Sequence, residues 1–357
     1  MGVFDNMLKS GESLFKNELA LDFSFQPKMI PYRENEQRRV AACIKPLFDE
    51  SNGRNIFLYG LPGIGKTAAC KHILTEIEEQ TDDIKPIYIN CWQSNTTYKI
   101  MLEMCDILDY KFTQNRKTEE LFNVIKQLLN RKCAVFVFDE IDKMEDFDFL
   151  YTLSENIFRK SIVMIANDRG FIESLDQRIK SRIMPEILEF KPYNFEETKG
   201  ILKQRAEYAF ESGVWMDDAM LLVAERTAEA KDIRKGLYLM RESASIAESK
   251  SSRKIMKEHS AEAASKVSEF MVKNPEELSD DEKEILEIVA KNSGKKIGEL
   301  YKIYTAGNDI QIVYKSFQRK IDKLQKNKFL TTERIEGGKE GNTTIVKSSQ
   351  SKKLSDF

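Results

Sequence analysis

Three short stretches carry residues of the types and positions for chemistry on a phosphate chain. The first is Gly60-Leu61-Pro62-Gly63-Ile64-Gly65-Lys66-Thr67. An apolar run, Ile56 to Tyr59, precedes it, and a helical pattern follows. Glycines let backbone N–H groups curl around phosphates, and the N-terminus of the following helix adds a positive dipole. ATP or ADP is the expected ligand of Gly63, Ile64, Gly65, Lys66 and Thr67. Lys66 would neutralise the outer phosphates and the Thr67 hydroxyl would ligate Mg²⁺. The second cluster, Asp139-Glu140, ends the apolar run CAVFVF. Asp139 would hold Mg²⁺, mostly through water, and Glu140 would orient or deprotonate the attacking water. Asp142 either joins them or caps the next helix. The third is Asn167, at the end of IVMIAN. It either positions the attacking water or is an ordinary strand-end turn residue.

Such clusters need strands and helices to hold them. Elements expected to be strands are 56–59, 86–90, 133–138, 161–166 and 186–190. Residues 34–50 are expected to form a helix, after an irregular segment 1–33. Runs apolar on both faces that alternate with helices mean a mostly parallel sheet covered on both sides. From Phe195 to about Val272 only helical patterns remain. A new unit starts near Ser279, which has Glu282 three residues on as a capping box, after a linker at Asn274-Pro275. The expected domains are a nucleotide-binding core over 1–192, an all-helical segment over 193–274, a separate C-terminal unit over 275–348 and a disordered tail over 349–357.

Composition narrows the function. The 357 residues allow two or three domains. No apolar run approaches the ~20 residues of a membrane helix, and no signal peptide is recognisable, so a cytoplasmic location without membrane partners is expected. Five scattered cysteines without a CxxC pair fit buried thiols in a reducing compartment. Two histidines, His72 and His259, make a histidine metal site or a Ser-His-Asp triad an unsuitable reading. Net charge is −2, but residues 291–357 carry fifteen Lys+Arg against seven Asp+Glu. A basic C-terminal module on an acidic body suggests a polyanionic partner.

Taken together, GLPGIGKT, FDEID, IVMIAN and SLDQRIKSRI resemble an AAA+ ATPase. Within that superfamily the sequence is similar to the archaeal replication initiators, relatives of the eukaryotic origin-recognition and cell-division-cycle loading factors. PKMIPYRENEQRRV at 27–40, INCWQSNTTYKIM at 89–101 and FKPYNFEETKGILKQRAEYAF at 190–210 carry the resemblance further, to about residues 25–345. It implies an α/β AAA+ core with a helical lid, followed by a winged-helix domain. It also implies roles for single residues. Arg182 resembles the arginine finger that completes a neighbouring subunit's site, with Arg178 as the competing candidate. Tyr193 and Arg205 match lid contacts to the nucleotide, Tyr193 near the adenine. Arg234 matches the lid arginine that reaches the γ-phosphate, although Lys231 stands where the family often has glycine. The implied function is an ATP-dependent initiator, with slow hydrolysis as its switch. Implied partners are double-stranded origin DNA, other initiator protomers and the replicative helicase, at the nucleoid.

The C-terminal periodicity agrees with a winged helix. A third helix, starting near Asn308-Asp309-Ile310-Gln311, would bury Val313, Phe317, Ile321 and Leu324. Lys315, Arg319 and Lys326 then fall on the opposite face, where a recognition helix meets DNA. Gln311 is a further candidate base contact. The turn IEGGKEGN would be the wing, with Lys339 at its tip. Residues 113–118, with Gln114, Asn115, Arg116 and Lys117, are either a second DNA contact or a solvated loop. Two other readings use the same ATPase motifs. A clamp-loader subunit would end in a helical collar. A signalling ATPase would pack its winged helix on its own nucleotide and bind no DNA.

Overall fold

A computed structural model of the chain describes residues 13–271, 280–306, 313–326, 330–335 and 343–348. Apolar runs become the strands β1 (Ile56–Tyr59), β2 (Ile84–Asn90), β3 (Cys133–Asp139), β4 (Lys160–Ala166) and β5 (Glu186–Glu189). They form one sheet in the order β2-β3-β4-β1-β5, with every neighbouring pair parallel. Both faces must then be covered. Phe57, Phe136 and Phe138 enter one apolar cluster, with the helices Thr97–Ile107 and Thr118–Leu129. Ile56, Leu58, Val135 and Val137 enter another, with the helices Glu34–Ile44 and Lys66–Gln80. Alternate residues of one strand thus serve opposite faces.

Two expectations need correction here. β2 begins at Ile84, ahead of Pro86, because an edge strand tolerates a proline that cannot donate to a ladder. The helix expected over 34–50 stops at Ile44 and tightens into a 3₁₀ turn, Lys45–Asp49. Pro46 cannot donate to the Ala42 carbonyl, which accepts from Arg54 Nη2 at 3.4 Å instead.

The lid helices are Phe195–Ala209, Asp217–Ala230, Ile233–Ser249 and Lys257–Met271. A capping box between Asn194 and Glu197 starts the first. The segment ahead of residue 33 is less irregular than its composition suggests. It holds a 3₁₀ turn, Glu18–Leu21, and packs Leu14, Ala20 and Leu21 into the lid core beside Leu202 and Phe210. All five cysteines are buried and free. Among the described residues no helix is long and apolar enough to cross a membrane.

The chain divides into two compact units, Met1–Val267 and Ser268–Phe357. In the second, the helices Asp280–Lys291, Ile297–Ala306 and Tyr314–Lys326 meet an antiparallel sheet of β6 (Lys295–Lys296), β7 (Leu330–Ile335) and β8 (Thr343–Ser348), in the order β6-β8-β7. This is the arrangement of a winged helix, not of a helical collar. Its core holds Ile285, Val289, Leu300, Phe317, Ile321, Leu324 and Val346. Val313 does not join them, against expectation, and is 72% exposed. The helix starts only at Tyr314, and the Val313 carbonyl accepts from Ser316 and Phe317 N–H ahead of the first turn, so helical periodicity does not reach it. The boundary at 274/275, Ser279, Gln311, Lys339 and the tail 349–357 lie outside the described residues.

Candidate functional site

In this sheet order the C-terminal ends of β1, β3 and β4 lie side by side. Ligands of open α/β sheets bind beyond such ends. The loops leaving them bring Lys66, Asp139, Glu140 and Asn167 to one cavity of about 330 Å³.

The phosphate loop is shaped by backbone conformation and by space. Gly63 and Gly65 have positive φ angles of 74° and 91°, which other residues avoid. A Cβ on Gly65 would stand 2.7 Å from the Tyr193 hydroxyl, and one on Gly63 would overlap the Asp232 carboxylate. Pro62, Gly63, Gly65, Lys66 and Thr67 line the cavity. Ile64 instead buries its side chain in the core beneath the loop. Lys66 Nζ donates to the carbonyls of Gly60 at 2.6 Å and Leu61 at 2.9 Å, and to Asn167 Oδ1 at 3.1 Å. Burial lowers its pKa to about 8, against the pull of nearby Asp139.

Asp139 is buried at the end of β3. The Thr67 hydroxyl donates to its Oδ2 at 2.6 Å, and the Tyr88 hydroxyl to the same oxygen at 2.8 Å. The Glu140 N–H donates to Oδ1 at 2.9 Å. Glu140 itself turns the chain with a φ of 54°. Burial first, and then the charge of Asp139, holds its carboxyl above the usual range. Asp142 sits in the 3₁₀ turn Ile141–Lys143 and pairs with Lys143 at 3.0 Å. It does not cap the next helix, Asp148–Asn156, whose N-cap is Phe147.

Tyr193, Arg205 and Arg234 close the cavity from the lid side, and Phe23, Phe25, Pro27 and Ile30 wall it with the N-terminal segment. Arg205 is turned toward that segment. Its guanidinium donates to the carbonyls of Ala20 at 3.0 Å and Phe25 at 3.1 Å, and lies over the Phe25 ring. Arg234 pairs with Asp232 at 2.9 Å. Arg182 is an exposed residue of the helix Gln177–Ile183, does not line this chain's cavity, and pairs with Glu155 at 3.0 Å. Arg178, on the same helix, pairs with Asp176 at 3.2 Å.

Sequence reasoning missed two contributors. Arg33 is buried, donates to the carbonyls of Ile64 at 3.0 Å and Lys191 at 2.6 Å, and lies 3.9 Å over the Tyr193 ring. It ties the phosphate loop to the start of the lid. The only signal for it in the sequence is the family resemblance of the segment PYRENE. Tyr88 reads as an ordinary strand residue until its hydroxyl is seen on Asp139.

In the second unit, Lys315 and Arg319 are exposed on the helix Tyr314–Lys326, opposite buried Phe317, Ile321 and Leu324. Lys326 ends that helix. Residues 113–117 lie between the helices Thr97–Ile107 and Thr118–Leu129, Thr118 opens the second, and Arg116 pairs with Glu120 at 3.8 Å.

Comparison with known proteins agrees with this architecture. Residues 49–169 match the family described as AAA domain, and residues 199–265 match the Cdc6 AAA+ ATPase-type lid domain. ORC1-type DNA replication protein 1 of Archaeoglobus fulgidus is 34% identical over 328 residues, covering 85% of this chain and 79% of that protein. The protein of the same name from Sulfurisphaera tokodaii is 35% identical over 272 residues, covering 72% and 68%. The Aeropyrum pernix ORC1 protein, solved in complex with DNA, is 27% identical with a TM-score of 0.74, over 94% of each chain. Cdc6p from Pyrobaculum aerophilum, at 16% identity and a TM-score of 0.65 over 94% of this chain and 95% of that one, shares the fold.

Proposed function

Because the chain belongs to the ORC1-type DNA replication protein family, we propose that it is a replication initiator that binds origin duplex under the control of bound ATP. The observation that carries this reading is the convergence of Lys66, Thr67, Asp139, Glu140 and Asn167 on one cavity closed by lid arginines.

The Thr67 hydroxyl and the Asp139 carboxylate are oxygen donors 2.6 Å apart, of the kind a hard cation takes. They would hold Mg²⁺, which supplies charge neutralisation at the phosphates when bound. Tyr88 keeps the Asp139 carboxylate in one orientation from behind. Lys66 exchanges its carbonyl partners for the outer phosphates. Glu140, whose raised pKa makes it a stronger base, accepts the proton of the attacking water. Asn167 orients that water. Tyr193 packs near the adenine, and Arg205 holds the N-terminal segment that covers it. Arg234 meets the terminal phosphate from the lid, and Arg182 acts in the site of a neighbouring protomer. Hydrolysis is slow and resets the switch.

Duplex DNA is met by the helix Tyr314–Lys326 through Lys315 and Arg319, with Gln311, Lys326 and Lys339 extending the surface. Support comes from the Aeropyrum pernix ORC1 protein, whose structure is a complex with DNA. Other initiator protomers and the replicative helicase are the further partners, at the nucleoid. Titrating origin duplex into the nucleotide-free, ADP-bound and ATP-bound protein tests the reading. ATP should give the tightest complex. Equal affinity in all three states would contradict ATP control.

A further inference from the structure

Gly63 of the phosphate loop and the lid arginine Arg234 are joined by a residue without a role so far. Asp232 precedes the lid helix Ile233–Ser249. Its Oδ1 accepts the Arg234 N–H at 3.0 Å, the capping bond of that helix. The same carboxylate takes the guanidinium side-on, with Nε on Oδ1 at 3.0 Å and Nη2 on Oδ2 at 2.9 Å. Nη1 has no protein acceptor among the described residues, and Arg234 lines the nucleotide cavity. The Asp232 side chain is 17% exposed and that of Arg234 48%. A largely covered carboxylate therefore grips one edge of the guanidinium and leaves its end free. The carboxylate also seats on Gly63, where a Cβ would overlap it, and the Ile233 N–H donates to the Gly63 carbonyl at 3.1 Å.

We propose that Asp232, seated on the phosphate loop at Gly63, is the positioning residue that presents Arg234 to the terminal phosphate. The inference rests on the reading of Arg234 as a phosphate contact. A planar fork held in advance loses less freedom when it meets an anion. ADP lacks the terminal phosphate, so the benefit is confined to ATP.

The test is calorimetric titration of the full chain with Mg-ATP and Mg-ADP for wild type, Asp232→Asn, Arg234→Ala and the double variant. Asparagine keeps the helix cap but not the ion pair. Asp232→Asn should lower the preference for ATP over ADP about fivefold, the scale of one lost hydrogen bond. ADP affinity and melting temperature should stay unchanged. Asp232→Ser, which also caps, should behave alike. Arg234→Ala should lower the preference at least as far, with no further loss in the double variant. An unchanged or increased preference in Asp232→Asn, equal losses for both nucleotides, or a further loss in the double variant would overturn the proposal. If Arg234→Ala itself left the preference intact, the phosphate reading of Arg234 would fall first and this inference with it.

Discussion

The ammonium of Lys66 and the carboxamide oxygen of Asn167 lie 3.1 Å apart, so a hydrogen bond joins the phosphate loop to the tip of β4. On the proposed reading each residue has a separable task. Lys66→Ala should cost about 2–3 kcal/mol of nucleotide affinity, the scale of a hydrogen bond to a charged group. Asn167→Ala should leave that affinity within a few-fold and slow hydrolysis. Equilibrium binding of a fluorescent nucleotide, paired with single-turnover phosphate release, separates the two. Equal effects of both variants on binding would refute the division.

Lys66 also sets a pH dependence. Burial holds its pKa near 8, down from an ordinary 10.5. The unfolded chain binds this proton more tightly, so the nucleotide-free protein gains stability as pH rises from about 8 toward 10.5. Phosphate binding favours the charged ammonium and takes up a proton above the folded pKa. Nucleotide affinity should therefore fall as pH rises through about 8. Calorimetry in two buffers of different ionisation enthalpy reads the proton uptake directly. Lys66→Arg should abolish it, because arginine stays charged throughout.

Glu140→Gln should keep ATP binding and stop turnover, since an amide cannot take a proton from water. Turnover equal to wild type would remove Glu140 from its role. Arg182→Ala should be inactive alone, yet able to donate an intact nucleotide site to a wild-type neighbour. Mixing Arg182→Ala with Glu140→Gln should then restore activity above either alone. Full activity of Arg182→Ala by itself would exclude the finger.

Lys231 ends the helix Asp217–Ala230 with a φ of 53°. A lysine there is strained, whereas glycine is the usual residue for such a terminus. Lys231→Gly should raise stability by about 1 kcal/mol, the lower end of the left-handed penalty. Chemical denaturation of the full chain measures it, and a decrease would show that the lysine side chain makes a compensating contact.

The residues that meet at the candidate site were legible where chemistry demands fixed residue types at the ends of buried strands. Gly60–Thr67, Asp139-Glu140 and Asn167 could be placed because β1, β3 and β4 read as apolar runs. The lid residues Tyr193, Arg205 and Arg234 were reachable only through resemblance, since nothing in a helical pattern marks which arginine faces a cavity. Arg33 was not legible, because its acceptors on Ile64 and Lys191 are distant in the chain. Tyr88 on Asp139 was hidden for the same reason. Val313 stands ahead of the first turn at Tyr314, so the helical period that would bury it does not apply there.

Whether the winged helix reads duplex DNA is decided by a salt titration of origin and random duplexes with ATP-bound protein. Wild type should prefer origin DNA. Arg319→Ala should cost about 1–3 kcal/mol of that preference, the worth of a good base contact. Lys326→Ala should weaken both duplexes alike and flatten the slope of log K against log salt by roughly 0.9. A chain lacking residues 275–357 should keep only residual binding. If that truncated chain bound origin DNA with the affinity and salt slope of the full chain, the winged helix would not be the DNA reader and the account would be contradicted.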